Sequence, residues 1–262
     1  MSLISSGGFL PVNNLEIILN SQTKIIIFSL LMLVSFLSLF FLYNLLIYKK
    51  KGIKFIQEDI YLIAYLMVII FCFFLFVNKD INFSIILLSI ASSVSNIGVS
   101  LRSSPDYLSF LFLILIIIGG SFFSTSSGLR FLKLVSLFKF SINEIISNAK
   151  PKNVYINKLL FSEKIMEKSD FYKYFLSILI FVVSLIILSS FISISGLSFE
   201  NSFKLSILTL MNTVNSHMTD LSGIDFDQMS GLIKYLIIIF MIIGRVELLS
   251  FLILFKKFFF KN

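Results

Sequence analysis

The sequence predicts an all-α integral membrane protein made of repeated membrane helix–pore helix–membrane helix units, two complete and one partial. Two observations carry that prediction. The first is composition: of 262 residues, 57% are hydrophobic and 14% charged, with a mean hydropathy of +0.98. Soluble domains carry about a quarter charged residues. The second is a pattern that occurs twice: a long apolar helix, a shorter amphiphilic segment, a small polar turn, and a second apolar helix broken near glycine. The first copy runs through YLIAYLMVIIFCFFLFV, IILLSIASS, SVSNIGVS and FLFLILIIIGG. The second runs through YFLSILIFVVSLIILSSF, FKLSILTLMN, NTVNSH and IKYLIIIFMIIGR.

Runs near 24–48, 58–78, 106–140, 171–195 and 229–259 are each long enough to cross a hydrocarbon core of about 30 Å. The segments near 82–94 and 199–212 fall below the roughly 17 residues that a span needs. Each lies between two spans and precedes small polar residues, as a re-entrant pore helix does. Residues 1–57 then form the back half of one unit, a filter turn and a second membrane helix. Residues 58–140 form a complete unit whose second helix is interrupted, 141–170 a basic linker, and 171–262 the final unit.

The net charge of +8 sorts by loop. Lys49, Lys50, Lys51 and Lys54 share one loop, Arg130, Lys133, Lys139, Lys150, Lys152, Lys158, Lys164, Lys168 and Lys173 lie in or beside the next, and Lys256, Lys257 and Lys261 lie at the C-terminal end. The other side carries Lys24, Lys79, Arg102 and Lys204 beside Asp80, Asp106, Glu200, Asp220, Asp225 and Asp227. Cytoplasmic loops hold the excess of Lys and Arg, so the linker is expected in the cytoplasm and the polar turns outside. The positive charge is a topology signal, and nucleic-acid binding is not needed to explain it. No basic residue precedes Lys24, so no signal peptide is expected. Cys72, the single cysteine, has no disulfide partner.

A permeating cation needs oxygen ligands in place of its hydration shell, and rings of backbone carbonyls supply them. Glycine favours such turns because it reaches positive φ and lets the backbone approach the ion. Ser5-Ser6-Gly7-Gly8-Phe9 and Ser95-Asn96-Ile97-Gly98-Val99 meet that requirement. In the last unit Asn212-Thr213-Val214-Asn215 occupies the corresponding place, with Asn215 expected to stand for the glycine. One such turn alone reads as an outer loop. Recurrence in each unit argues for a filter.

Gly119-Gly120-Ser121, Ser124-Thr125 and Gly128 interrupt the third span with small and polar residues. In a continuous helix those hydroxyls would face lipid or bond back to their own carbonyls, so a non-helical loop inside the pore is expected. Arg245 sits in MIIGRVELLSFLILF. An intramembrane arginine costs roughly 2.5–3.5 kcal/mol on the lenient insertion scale, so it must face a partner or a wet cavity. Glu247 is two residues away, and side chains so spaced on a helix do not meet. An enzyme is not expected: there is one His, no acid pair is read within the membrane, and neither a P-loop nor a G-x-S-x-G pattern occurs.

At these residues the chain resembles the Trk/Ktr/HKT superfamily of potassium transporters, most closely the C-terminal portion of the bacterial Trk-type membrane subunit. SSGGF and SNIGV are similar to its filter turns, GGSFFSTSSGLR to its intramembrane loop, IGRVELL to its FGRLEIF-like segment, and AKPKNVY to its cytoplasmic stretch. The resemblance implies a potassium-channel-like pore in the bacterial cytoplasmic (inner) membrane, with potassium as cargo and no other cofactor. It implies carbonyl ligands at Gly7, Gly98 and Asn215, a gate at 119–128 and Arg245 as the cavity charge. It also implies a membrane homodimer and a cytosolic nucleotide-binding ring protein. It covers only the back half of a family member, so a separately encoded N-terminal half is a further expected partner. The alternative is a non-conducting remnant or assembly fragment of a split or decaying gene. The loop departs from the family pattern at Phe123, Ser126 and Ser127, where glycines stand in the family.

Overall fold

The computed structural model describes residues 6, 15, 18–39, 41–43, 56–76, 82–101, 106–149, 168–213, 221, 226 and 229–245. Helix α1 covers Gln22–Val34, α2 Ile56–Phe76, α3 Phe83–Ser95 and α4 Asp106–Ile117. Two-residue strands follow, β1 at Ile118–Gly119 and β2 at Leu129–Arg130. Then come α5 at Phe131–Ala149, α6 at Lys168–Ile194, α7 at Phe199–Leu210 and α8 at Gly231–Arg245. A long helix followed by two shorter ones occurs twice, as α2–α3–α4 with 21, 13 and 12 residues and as α6–α7–α8 with 27, 12 and 15.

Two described stretches, Glu58–Leu75 and Asp170–Ile194, have the length and hydropathy to cross a bilayer. Their outer faces are apolar: Met67, Phe71 and Phe74 on α2 and Val182, Val183 and Ile186 on α6 are exposed. Water would make such a surface costly, and lipid does not. The α3 helix has 13 residues and α7 has 12. At 1.5 Å per residue both reach only about 20 Å, well short of a span.

Both short helices are buried at their C-terminal ends. Leu87–Ser100 is buried throughout, as is Leu205–Met211. One apolar core joins α2, α3, α4 and the start of α5 through Leu62, Phe73, Ile90, Phe112 and Phe131. A second joins α4, α6, α7 and α8 through Ile116, Leu188, Leu208 and Ile237. A third sets Met32 of α1 against Leu88 and Ala91 of α3. Each of α3 and α7 is thus packed among neighbouring helices, and its C-terminal end is buried.

Two expected spans are broken. The run 106–140 leaves the helix after Ile117 and resumes at Phe131. Its ends are drawn together by parallel pairing of Ile118 with Leu129 and of Gly119 with Arg130. The run 24–48, expected as one helix, leaves helical geometry at 35–38 and turns helical again at 39. Serine provides the means: the Ser35 hydroxyl donates to the Met32 carbonyl at 2.8 Å, and Ser38 Oγ accepts from the Phe41 N–H at 3.0 Å. The expected final run 229–259 is described through Arg245.

Candidate functional site

The two short helices end in the same hydrogen-bonded motif. Asn96 follows α3 in the left-handed region at φ 56°, and Asn212 follows α7 at φ 59°. The next N–H in each case reaches five residues back: Ile97 to the Ser92 carbonyl at 3.2 Å, Thr213 to the Leu208 carbonyl at 2.8 Å. This is the Schellman termination, in which the left-handed residue reverses the chain. Asparagine tolerates that conformation better than most side-chain-bearing residues. Ser6 adopts it too, at φ 48°, so all three expected turns share one left-handed residue.

That shared residue fixes a register. Gly98, at φ 77°, is two residues beyond Asn96. Counting two from Asn212 gives Val214, and two from Ser6 gives Gly8. Counted from the left-handed residue, the place of Gly98 falls on Gly8 and Val214, one residue from the expected Gly7 and Asn215. Gly7, Gly8, Val214 and Asn215 lie outside the described residues. The two described turns are neighbours: a Cβ on Gly98 would stand 3.4 Å from the Thr213 carbonyl oxygen.

Side chains hold the first turn more firmly than the second. Ser92 Oγ accepts the Val99 N–H at 2.7 Å, and the Ser95 hydroxyl donates to the Ala91 carbonyl at 2.6 Å. Four residues before Asn212 the chain has Leu208, which cannot accept such a bond. There Asn212 Nδ2 donates to the Met241 carbonyl of α8 at 3.1 Å instead. The Asn96 amide is fully buried, and neither Oδ1 nor Nδ2 has a protein partner; the Thr213 hydroxyl is likewise buried and unpartnered. Each helix C-terminus contributes about half a negative charge, so α3 and α7 direct negative ends at the turns. Buried, partly unpaired oxygens at two such ends are suited to a cation.

The second constellation is the intramembrane loop. Gly119 lies in β1, and residues 120–128 are non-helical. Ser121, Ser124 and Ser126 are buried, while Phe122 and Phe123 are exposed. A side chain on Gly120 would run into the Phe36 carbonyl and the hydroxyls of Ser124 and Ser126, so close packing requires glycine there. The loop rests on the break in α1: Ser121 N–H donates to the Phe36 carbonyl at 3.2 Å, Thr125 N–H to the Ser35 carbonyl at 3.2 Å, and Leu39 N–H to the Phe123 carbonyl at 3.3 Å. It also touches the first expected turn, where the Ser6 hydroxyl donates to the Thr125 carbonyl at 2.8 Å.

Charged groups surround the loop. Arg130 Nη1 donates to the carbonyls of Ser121 at 3.1 Å, Ser124 at 3.3 Å and Ser126 at 3.2 Å. Arg245 Nη1 donates to the Ser127 hydroxyl at 3.1 Å. Glu247 lies outside the described residues. A cleft lined by Gly128, Arg130, Lys133, Ser177, Met211 and Gly244 opens beside the loop. The sequence reading missed two groups. Glu58 and Asp59, in the first turn of α2, are 1% and 0% exposed. They stand at the start of the expected span 58–78, and their burial is set by what the fold lays over them.

No protein-family model matches the chain, and no curated protein does either. A solved structure does: the potassium transporter TrkH from Vibrio parahaemolyticus, with a TM-score of 0.79 at 20% identity. The match covers 97% of this chain and 56% of that one, so this chain spans little more than half that protein's length. The chain therefore has the fold of a Trk-type membrane protein.

Proposed function

We propose that this chain forms part of a pore for potassium uptake, with a carbonyl-lined filter and the loop at 119–128 as gate. The observation that carries the reading is the paired termination of α3 and α7. Two buried helices of separate units deliver the same left-handed turn to one place, where Gly98 meets Thr213. The likeness of the fold to a potassium transporter supports potassium as the cargo. Filter ligands are then drawn from Ser6, Gly7, Ser95, Asn96, Ile97, Gly98, Asn212, Thr213 and Val214, with Gly8 favoured over Gly7, and Val214 over Asn215, by the backbone register. The gate uses Gly119, Gly120, Ser121, Ser124, Thr125 and Gly128, and Arg245 places positive charge beside it.

The units follow the divisions 1–57, 58–140, 141–170 and 171–262. The basic residues set the linker in the cytoplasm and the filter turns outside, in a bacterial inner membrane. A membrane homodimer, a cytosolic nucleotide-binding ring and a separately supplied N-terminal half complete the assembly. The test is rubidium and potassium uptake in a transport-deficient cell, with this chain expressed alone and together with an N-terminal half. Uptake in either arm that is blocked by disrupting Gly98 supports the reading. Full membrane abundance with no uptake in both arms favours a non-conducting assembly fragment.

A further inference from the structure

Two adjacent carboxylates tie together the two broken helices. Glu58 Oε1 accepts the Phe122 N–H of the loop at 3.1 Å. Asp59 Oδ1 accepts the Ser38 N–H at 2.9 Å, and Asp59 Oδ2 accepts the Ser38 hydroxyl at 2.6 Å. One acid therefore holds the loop, and its neighbour holds the break in α1 on which the loop rests. The breaks also bond directly to each other, through Ser121 to Phe36 and Thr125 to Ser35. The first turn of α2 thus contacts both broken segments, which are also bonded to each other.

A first-turn acid usually serves to complement the helix dipole. A solvated carboxylate at the surface fulfils that role. Glu58 and Asp59 are buried instead, where a carboxylate is tolerated only with donors to satisfy it. The donors present are the loop and the break, so the acids and the broken backbones hold one another in place. Arg130 lies within electrostatic reach of Glu58 and grips the loop from its other side through three carbonyls. Moving the loop would strip Glu58 of its Phe122 amide donor and leave it the weaker one from Leu132 at the start of α5.

We propose that Glu58, seated by Asp59 and Ser38, is a positioning residue that holds the loop at 119–128 in its closed place against α1. The proposal rests on the reading of that loop as the gate, and the two can be separated. A reporter cysteine is introduced as Phe123→Cys in a Cys72→Ser background. Its modification by N-ethylmaleimide is followed in native membranes, with rubidium flux per molecule measured in parallel.

Glu58→Ala should speed labelling by about fivefold or more, as loss of a buried charge-assisted bond implies. Glu58→Gln, whose Oε1 still accepts, should restore a rate near that of the parent. Phe122→Pro removes the donor from the other side. The Ser124 N–H bonds to the Ser121 carbonyl, so Phe122 occupies the second position of a turn, where proline is favoured. Phe122→Pro should label faster than the ring-deletion control Phe122→Ala. The double variant with Glu58→Ala should be no faster than either single change.

Labelling of Glu58→Ala within about twofold of the parent would overturn the proposal. If Glu58→Ala fails to reach the membrane, the proline comparison decides: equal rates for Phe122→Pro and Phe122→Ala overturn it, and a faster proline variant supports it. Faster labelling with unchanged flux leaves Glu58 as the positioning residue and removes the gate role from the loop.

Discussion

Asn96 and Asn212 end their helices in the same left-handed conformation, φ 56° and 59°, and each passes its following N–H to a carbonyl five residues back. The coincidence gives the two turns one common backbone reference point. It also places Gly98 of one unit against the Thr213 backbone of the other. A change at either turn is therefore felt by both.

Gly98 is the first position to test. At φ 77° a side chain costs about 1–2 kcal/mol, and the added Cβ would touch the Thr213 carbonyl oxygen at 3.4 Å, leaving the branches of valine to crowd that turn. Gly98→Val should lower the potassium-to-sodium flux ratio in a conducting assembly while leaving membrane abundance near normal. Isotope flux with both ions measures it. An unchanged ratio would remove Gly98 from the filter.

The register makes a sharper prediction in the last unit. If position 214 carries the role of Gly98, Val214→Gly should raise rubidium flux per molecule several-fold, since a β-branched residue resists positive φ. Asn215→Gly should change flux little. The opposite ranking would restore the equivalence that residue type alone suggested.

Much of this architecture was legible in the residues. The shortness of 82–94 and 199–212 set them apart as re-entrant, and the serine–glycine content of 119–128 marked a break. Three features were not legible, for different reasons. The break at 35–38 hides because Phe36 and Leu37 keep the run apolar and two serines look harmless in a membrane helix. Glu58 and Asp59 hide because first-turn acids are ordinary, and burial depends on what the fold lays over them. The left-handed turn residue hides because glycine is the usual proxy for positive φ, and here asparagine and serine supply it. Arg245 demanded a partner by its cost, but only the fold shows that Ser127 is one of its partners.

Gly244 should report the packing of α8 on α7. A Cβ there would collide with the Leu210 carbonyl, directly before the turn at Asn212. Backbone cannot yield as a flexible side chain can, so Gly244→Ala should destabilise by about 1–3 kcal/mol. Thermal unfolding of the purified protein in detergent checks this, and a midpoint equal to wild type would mean that α8 sits farther from α7.

Arg245 separates a gating role from a structural one. Its Nη1 reaches Ser127 in the loop, although the residue as a whole is exposed. Its charge opposes a cation nearby, more strongly in a low effective dielectric than in water. Arg245→Ala removes both the charge and the hold on the loop, so flux per molecule should rise and membrane abundance should stay near normal. Ser127→Ala removes the hold and keeps the charge. If the bond is what restrains the loop, the two variants should raise flux alike. A rise confined to Arg245→Ala assigns the effect to charge. A fall in abundance with unchanged flux per molecule would instead make Arg245 a structural prop, since a buried partner stripped of its donor destabilises the fold.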